Sequence, residues 1–204
     1  MTVPRPAGNG NATAFTLVEL LIVVALMAVM YVMLMSFGSA SHQRTQKELC
    51  AGNLQKIYLA LQIYGNDYGV YPRSTNVQTS EQVLAPLVPK YTADTSIFIC
   101  PGGRDSAIPM GAPLDQHKIS YAYYMGRDTN TGAGDFLMSD RQINTLSKNA
   151  SEQVFSLNGK APGNNHHKYG GNVLFCDGSV QDSAPNAAFS LAFSNGIVLL
   201  NPKP

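Results

Sequence analysis

The residue types that most invite chemistry stand late in the chain, where His166 and His167 precede Asp177 and Gly178. Imidazole and carboxylate together suit zinc or a similar ion. Only three such groups occur here, one of them in a turn, and a plainer reading is favoured. His167 caps or hydrogen-bonds the backbone of a hairpin, and Asp177 is present for its turn chemistry. No metal or other cofactor is therefore expected, with His166, His167 and Asp177 as the weak candidates for ligands. Cys176, close to both histidines, raises the question of a thiol nucleophile, which needs a base and an electropositive site. The commoner state of a free cysteine is a small buried apolar group, and that is the state expected of Cys176. The chain is accordingly read as no enzyme.

A second chemical feature is one charge in the wrong place. Residues 20 to 37, LLIVVALMAVMYVMLMSF, form a run in which only Ser36 is plainly polar, and Leu17 and Val18 extend it backwards past Glu19. A carboxylate one turn inside an apolar helix costs a few kcal/mol in lipid unless it is paired. Some partner must exist. If the chain were cut before Phe15, the new amino group would lie four residues from Glu19, on the same chain or on a neighbour. The plainer alternative is a carboxylate at the interface near the end of a simple signal anchor.

Composition narrows the classes. The 204 residues are 45% apolar, enough for one core plus an appended segment, while only 13% are charged and the first forty positions are the poorest. Fourteen Lys and Arg against thirteen Asp and Glu give +1, and loss of a leader whose only charge is Arg5 would leave 13 minus 13, or zero. No basic patch marks nucleic acid as a primary partner. Cys50, Cys100 and Cys176 are too far apart for the close-paired spacings of a zinc site. In an oxidising compartment they allow one disulfide and one leftover thiol, with three pairings open. Cys50 with Cys100 is the pairing chosen, as a staple from helix to sheet.

The elements follow from pattern. The apolar run is long enough to span a bilayer core, and the polar, Pro- and Gly-rich stretch 1–14 before it has no periodicity. Leu49, Leu54, Ile57, Leu61, Tyr64 and Tyr68 recur at three- and four-residue steps, predicting one helix from about Phe15 to Tyr64, about 75 Å at about 1.5 Å per residue, with Gly65-Asn66-Asp67 as its stop and a bend near Gly38. A short helical turn is predicted around Glu81 to Leu87. Buried strands are predicted at Ile97 to Cys100 and Ile119 to Met125, with another at Phe136 to Met138 or Val154 to Leu157. Asp177-Gly178 predicts a two-residue hairpin turn with both residues at positive φ, entered through Gly170-Gly171. The fold class is α+β: a long N-terminal helix packed on a small antiparallel sheet with long loops.

Two of these features carry a resemblance. The run Ala14-Phe15-Thr16-Leu17-Val18-Glu19-Leu20 resembles the processing site of type IV prepilins and type II secretion pseudopilins, with Ala14 where the family usually has Gly. The spacing from His167 to Asp177-Gly178, nine residues between, resembles the H-x9-DG segment at the C-terminus of many pilin-like proteins. The resemblance implies cleavage between Ala14 and Phe15 by a prepilin peptidase, N-methylation of Phe15, and a role for Glu19 in assembly. It implies a leader at 1–14, a transmembrane and assembly half-helix at 15–38, and a globular domain at 39–204 containing the rest of the helix. Such a protein sits once through the bacterial inner membrane with its globular part periplasmic, and is drawn into a filament. Its partners are copies of itself, other pilin-like subunits, the assembly platform and membrane lipid. A secretion pseudopilus is favoured over a type IV pilus for adhesion, motility or DNA uptake, because the spine resembles the secretion family and the chain lacks a C-terminal cysteine pair. Major pseudopilins hold calcium on an acidic loop; here Asp128, Asp135 and Asp140 are the nearest match, at spacings that fit no defined calcium loop. The rival class is a signal-anchored periplasmic enzyme or metal-binding protein using His166, His167 and Asp177.

Overall fold

The computed structural model describes residues 16–158, 165–166, 169–194 and 196–204, and for 35–41 the backbone alone. The chain divides into two units, Met1–Ser41 and His42–Pro204. Helix α1 is assigned from Leu17 to Tyr68.

In the first unit, α1 opens on a reciprocal cap. Thr16 holds the N-cap position and Glu19 the third helical one, the geometry of a capping box before an apolar run. The stretch Leu17–Leu34 is long and apolar enough to cross a membrane, with a mean hydropathy of 2.7 and none of its residues buried. Exposure of an apolar helix on every side is what a lipid-facing span would show, since no core claims a face of it.

In the second unit the same helix presents one stripe. Cys50, Leu54, Ile57 and Leu61 are fully buried, at steps of four, three and four. Leu49, expected in that stripe, lies about 100° around the helix from Cys50 and is exposed. The helix runs through Gly65 to Tyr68 and stops at Gly69, whose φ of 74° is the left-handed cap and whose N–H closes on the Gly65 carbonyl at 2.7 Å. A five-residue helix α2, Ser80–Leu84, continues into a 3-10 turn over Ala85–Leu87. Pro86 at the start of that turn has no N–H to lose there.

Five antiparallel strands follow: β1 Tyr121–Met125, β2 Phe136–Asp140, β3 Gly171–Phe175, β4 Val180–Ser183 and β5 Val198–Leu200. Their order across the sheet is β4-β3-β2-β1-β5. The protein is thus α+β, as the pattern predicts. Strand alternation divides the sheet's side chains between two cores. Tyr121, Tyr123, Met138, Leu174 and Leu200 face the core that holds Leu54, Ile57 and Leu61 of α1. Ala122, Tyr124, Phe136, Val173, Phe175 and Leu199 face a second core closed by Val154, Phe155, Ala187 and Leu191. A register shift between Phe136 and Met138 lets Leu137 join Met138 on the first side. Because both faces are covered, β1 to β3 are buried at nearly every position.

One predicted strand is something else, and of the alternatives Phe136 to Met138 and Val154 to Leu157 it is the first that forms a strand, β2. Ile97 and Phe98 belong to a 3-10 turn over Thr95–Phe98, capped by the Asp94 side chain, which accepts from the Ser96 N–H. A short apolar run fits a buried turn as well as a strand, and the local cap decides it. Val154 to Leu157 is not a strand: Val154 and Phe155 both donate their N–H to the Pro185 carbonyl, and the ladder-type contact beside them is an isolated bridge from Gln153 to Asn186. Glu81 of α2 is buried, and its Oε1 accepts from the N–H of Ile119 and of Lys203, tying the final segment to α2.

Candidate functional site

At the start of α1, Oε2 of Glu19 accepts from both the Thr16 backbone N–H and the Thr16 hydroxyl, each at 2.9 Å, while the Glu19 N–H donates to Thr16 Oγ1 at 3.3 Å. Glu19 is thus hydrogen-bonded within the first turn by the residue three positions earlier. The T-x-x-E spacing carries this signal in the sequence, although charge considerations alone do not find it. Ala14 and Phe15 lie outside the described residues.

The hairpin around Asp177 differs from the two-residue turn expected. Phe175 donates its N–H to the Ser179 carbonyl and accepts from Gly178 N–H, enclosing Cys176, Asp177 and Gly178 in a three-residue loop. Only Gly178 has positive φ, at 84°, which is a type I turn followed by a left-handed residue. Asp177 needs no positive φ; its Oδ1 accepts from the Ser179 N–H and hydroxyl at 2.8 and 2.6 Å. The Ser179 hydroxyl, then its N–H, hold the Asp177 carboxyl below the usual carboxylate range. The loop lies against α1. Tyr58 donates its hydroxyl to the Cys176 carbonyl at 2.9 Å, and a Cβ on Gly178 would come within 2.5 Å of the Tyr58 ring. The Asp-Gly pair thus shapes a docking contact between hairpin and helix. His167 lies outside the described residues.

Cys176 is buried, and burial pushes its thiol up to about 11. Its N–H donates to the Asp135 carbonyl. A thiol so held offers little nucleophile near neutral pH.

The three acids considered for calcium part company. Asp128 accepts from Asn130 and Thr131 of its own turn, and Asp135 pairs with Arg127 at 2.9 Å. Asp140, at the end of β2, turns inward: its Oδ2 accepts from the Asn172 N–H and side-chain amide at 2.7 and 3.0 Å, and its Oδ1 from Asn165 at 3.0 Å.

His166 does not join Asp177, which is exposed. It is fully buried beside Asp140, with Nε2 at 3.4 Å from Asp140 Oδ2 and 3.3 Å from Cys100 Sγ. Cys100 is bonded to Cys50. The disulfide ties α1 to the segment after the 3-10 turn rather than to the sheet, since Cys100 is not on a strand. Gly102 leaves room for the imidazole: a Cβ there would fall 2.6 Å from His166 Nδ1. Sequence spacing gives no warning of this cluster, whose members come from four separate elements.

A cavity of about 640 Å³ opens beside α1, lined by Arg44, Lys47, Tyr169, Asn172, Asp182 and Pro185 among others. Lys47 Nζ donates to the Tyr169 and Ser183 carbonyls and pairs with Asp182, so its charge is spent on holding β4 to the helix.

No protein-family model, no curated protein and no solved structure matches this chain. The class that the fold itself defines is an α+β protein with one N-terminal apolar helix able to span a membrane and a small five-stranded antiparallel sheet. That architecture is compatible with a pilin-like fold.

Proposed function

We propose that the chain is a pilin-like structural subunit, a pseudopilin of a type II secretion-like system. It is processed between Ala14 and Phe15 and anchored in the bacterial inner membrane by its apolar half-helix, with the globular unit periplasmic. The observation that carries the reading is a fully exposed apolar helix whose first turn contains a single carboxylate, Glu19. A lone anchor could use this carboxylate only as a helix cap, whereas a filament has a further use for it: apolar half-helices packed side by side exclude water, and one charge among them sets register. The terminal amine created at Phe15 is the partner proposed for Glu19 in the assembled state, in place of or in addition to Thr16. Other copies, related subunits, the processing peptidase and the assembly platform are the partners this role requires.

Mass spectrometry of the mature chain is the direct test. A chain beginning at N-methylated Phe15 agrees with the proposal. One that retains Met1, or is cut after residue 38, overturns it and returns the protein to the class of signal-anchored periplasmic proteins.

A further inference from the structure

Cys50 Sγ, Cys100 Sγ, Asp140 and His166 each offer a ligand atom, and these atoms all lie within 4.8 Å of one another, with every one of the four residues buried. We propose that the dithiol form of this protein binds one zinc-type divalent cation through these four residues, and that the Cys50–Cys100 disulfide is the metal-free form of the same site.

The distances carry this. With zinc bonds of about 2.3 Å to sulfur and about 2.0–2.2 Å to nitrogen and oxygen, a tetrahedron has edges of about 3.4 Å between N and O, about 3.6 Å between S and N, and about 3.8 Å between the sulfurs. The structure has 3.4 Å between His166 Nε2 and Asp140 Oδ2, and 3.3 Å between His166 Nε2 and Cys100 Sγ. The sulfur–sulfur edge is short, because a covalent bond occupies it. Two of the remaining five edges are thus near tetrahedral length, the other three lie within 4.8 Å, and the sulfur–sulfur edge must open on reduction. Two thiolates, an imidazole and a carboxylate form a donor set suited to zinc.

The outer shell of Asp140 is also in place. Asn172 and Asn165 hold both oxygens of Asp140, the kind of support that fixes a ligating carboxylate. Nδ1 of His166 has no hydrogen-bond partner among the described residues, so it is free to carry the imidazole proton while Nε2 ligates. The positions are set by α1, β2, the segment after the 3-10 turn and the turn before β3, so the dithiol would keep its ligands close together.

A dithiol reductant transfers two electrons and two protons, leaving Cys50 and Cys100 as thiols and itself as a disulfide. Binding of the cation then displaces the two thiol protons to water, and the dication with two thiolates, one carboxylate and a neutral imidazole has a net charge of −1. Exchange with an oxidising disulfide, which takes up the two electrons and, with two protons from water, leaves as two thiols, reforms the sulfur–sulfur bond and releases the metal, because a disulfide is a poor ligand. The helix and the 95–101 segment are tied in either state.

The test uses the full chain in detergent with Cys176→Ala, which removes the third thiol. It is reduced with a phosphine, freed of reductant without oxygen, and titrated with Co2+ as a probe of geometry. The expected result is one Co2+ per chain with the intense visible bands of tetrahedral, thiolate-bound cobalt, bleached by Zn2+ and absent from the oxidised chain. His166→Gln and Asp140→Asn should each weaken Co2+ binding at least about tenfold. Zn2+ should also raise the thermal midpoint of the reduced chain and leave that of the oxidised chain unchanged. Absence of thiolate bands, octahedral cobalt, affinity unmoved by both substitutions, or no zinc-dependent rise in the midpoint overturns the proposal. The spectra and the midpoint are read on a chain with all four ligands intact, so they decide the matter even where a ligand variant misfolds.

Discussion

Replacing Glu19 by Gln and by Ala separates two roles that the first turn of α1 brings together. Glu19 Oε2 accepts two hydrogen bonds from Thr16, both at 2.9 Å. Alanine removes both but leaves Thr16 as the N-cap, with its Oγ1 still accepting from the backbone N–H of residue 19, so the capping loss is partial. Glutamine keeps a side-chain oxygen for Thr16 and is itself a capping-box residue, so as a cap it should lose only a few tenths. The charge-pair role weighs the two differently. An amine left without its carboxylate in an apolar filament core costs about 3 kcal/mol, and about 1.4 kcal/mol is a factor of ten, so either substitution should lower incorporation by about a hundredfold. The assay is competition: differently tagged wild-type and variant chains are expressed at equal levels, and their ratio is measured in the membrane fraction and in sheared filaments. Both variants should insert and be processed normally, and both should be scarce in filaments. If Glu19→Gln enters filaments as freely as wild type while Glu19→Ala is reduced about fivefold, capping explains everything and the register role of the charge is refuted.

Other perturbations test the globular unit. Gly178→Ala forces a side chain into a left-handed position and against the Tyr58 ring; it should destabilise the unit by at least about 1–2 kcal/mol in urea melts, and a loss below about 0.5 kcal/mol would deny the docking of hairpin on helix. The Cys176 thiol, raised from 9.0 to about 11 by burial, should resist alkylation at pH 8 until the protein unfolds. Its linkage has a definite sign. Between about pH 9 and 11 the unfolded thiol loses its proton and the folded one keeps it, so the stabilising contribution is complete below 9 and is lost as pH rises through 11. Cys176→Ala should therefore flatten the fall in stability across that window; an unchanged slope would mean the thiol is no more buried than in the unfolded chain.

Much of the architecture was legible because it rests on local pattern. The apolar run predicts the N-terminal helix, short aromatic and apolar stretches predict β1 and β2, and apolar flanks around Asp177-Gly178 predict the β3–β4 hairpin. Ile97 to Cys100 misleads for a local reason: four apolar residues closed by Pro-Gly fit a strand until Asp94 caps them into a 3-10 turn. The three-residue loop at Asp177 shows the same limit, since Asp-Gly serves more than one turn geometry. The candidate site was legible only in pieces. Thr16 and Glu19 carry their capping spacing in plain view, whereas Cys50, Cys100, Asp140 and His166 are drawn together by the fold alone. His166, read with Asp177, belongs instead with Asp140, because the strand that follows His166 pairs with the strand that ends at Asp140.

The place of β5 fixes an order of events. Tyr123 of β1 pairs with Leu200, and the Ser80 N–H reaches the Asn201 carbonyl, so the sheet lacks an edge until the last strand has been made. A chain synthesised from its N-terminus completes these distant contacts last. Cys50 and Cys100, by contrast, both precede every strand. Their sulfurs can meet before β2 delivers Asp140 and before the turn at His166 arrives, so the disulfide can close while half of the proposed metal site is still unmade.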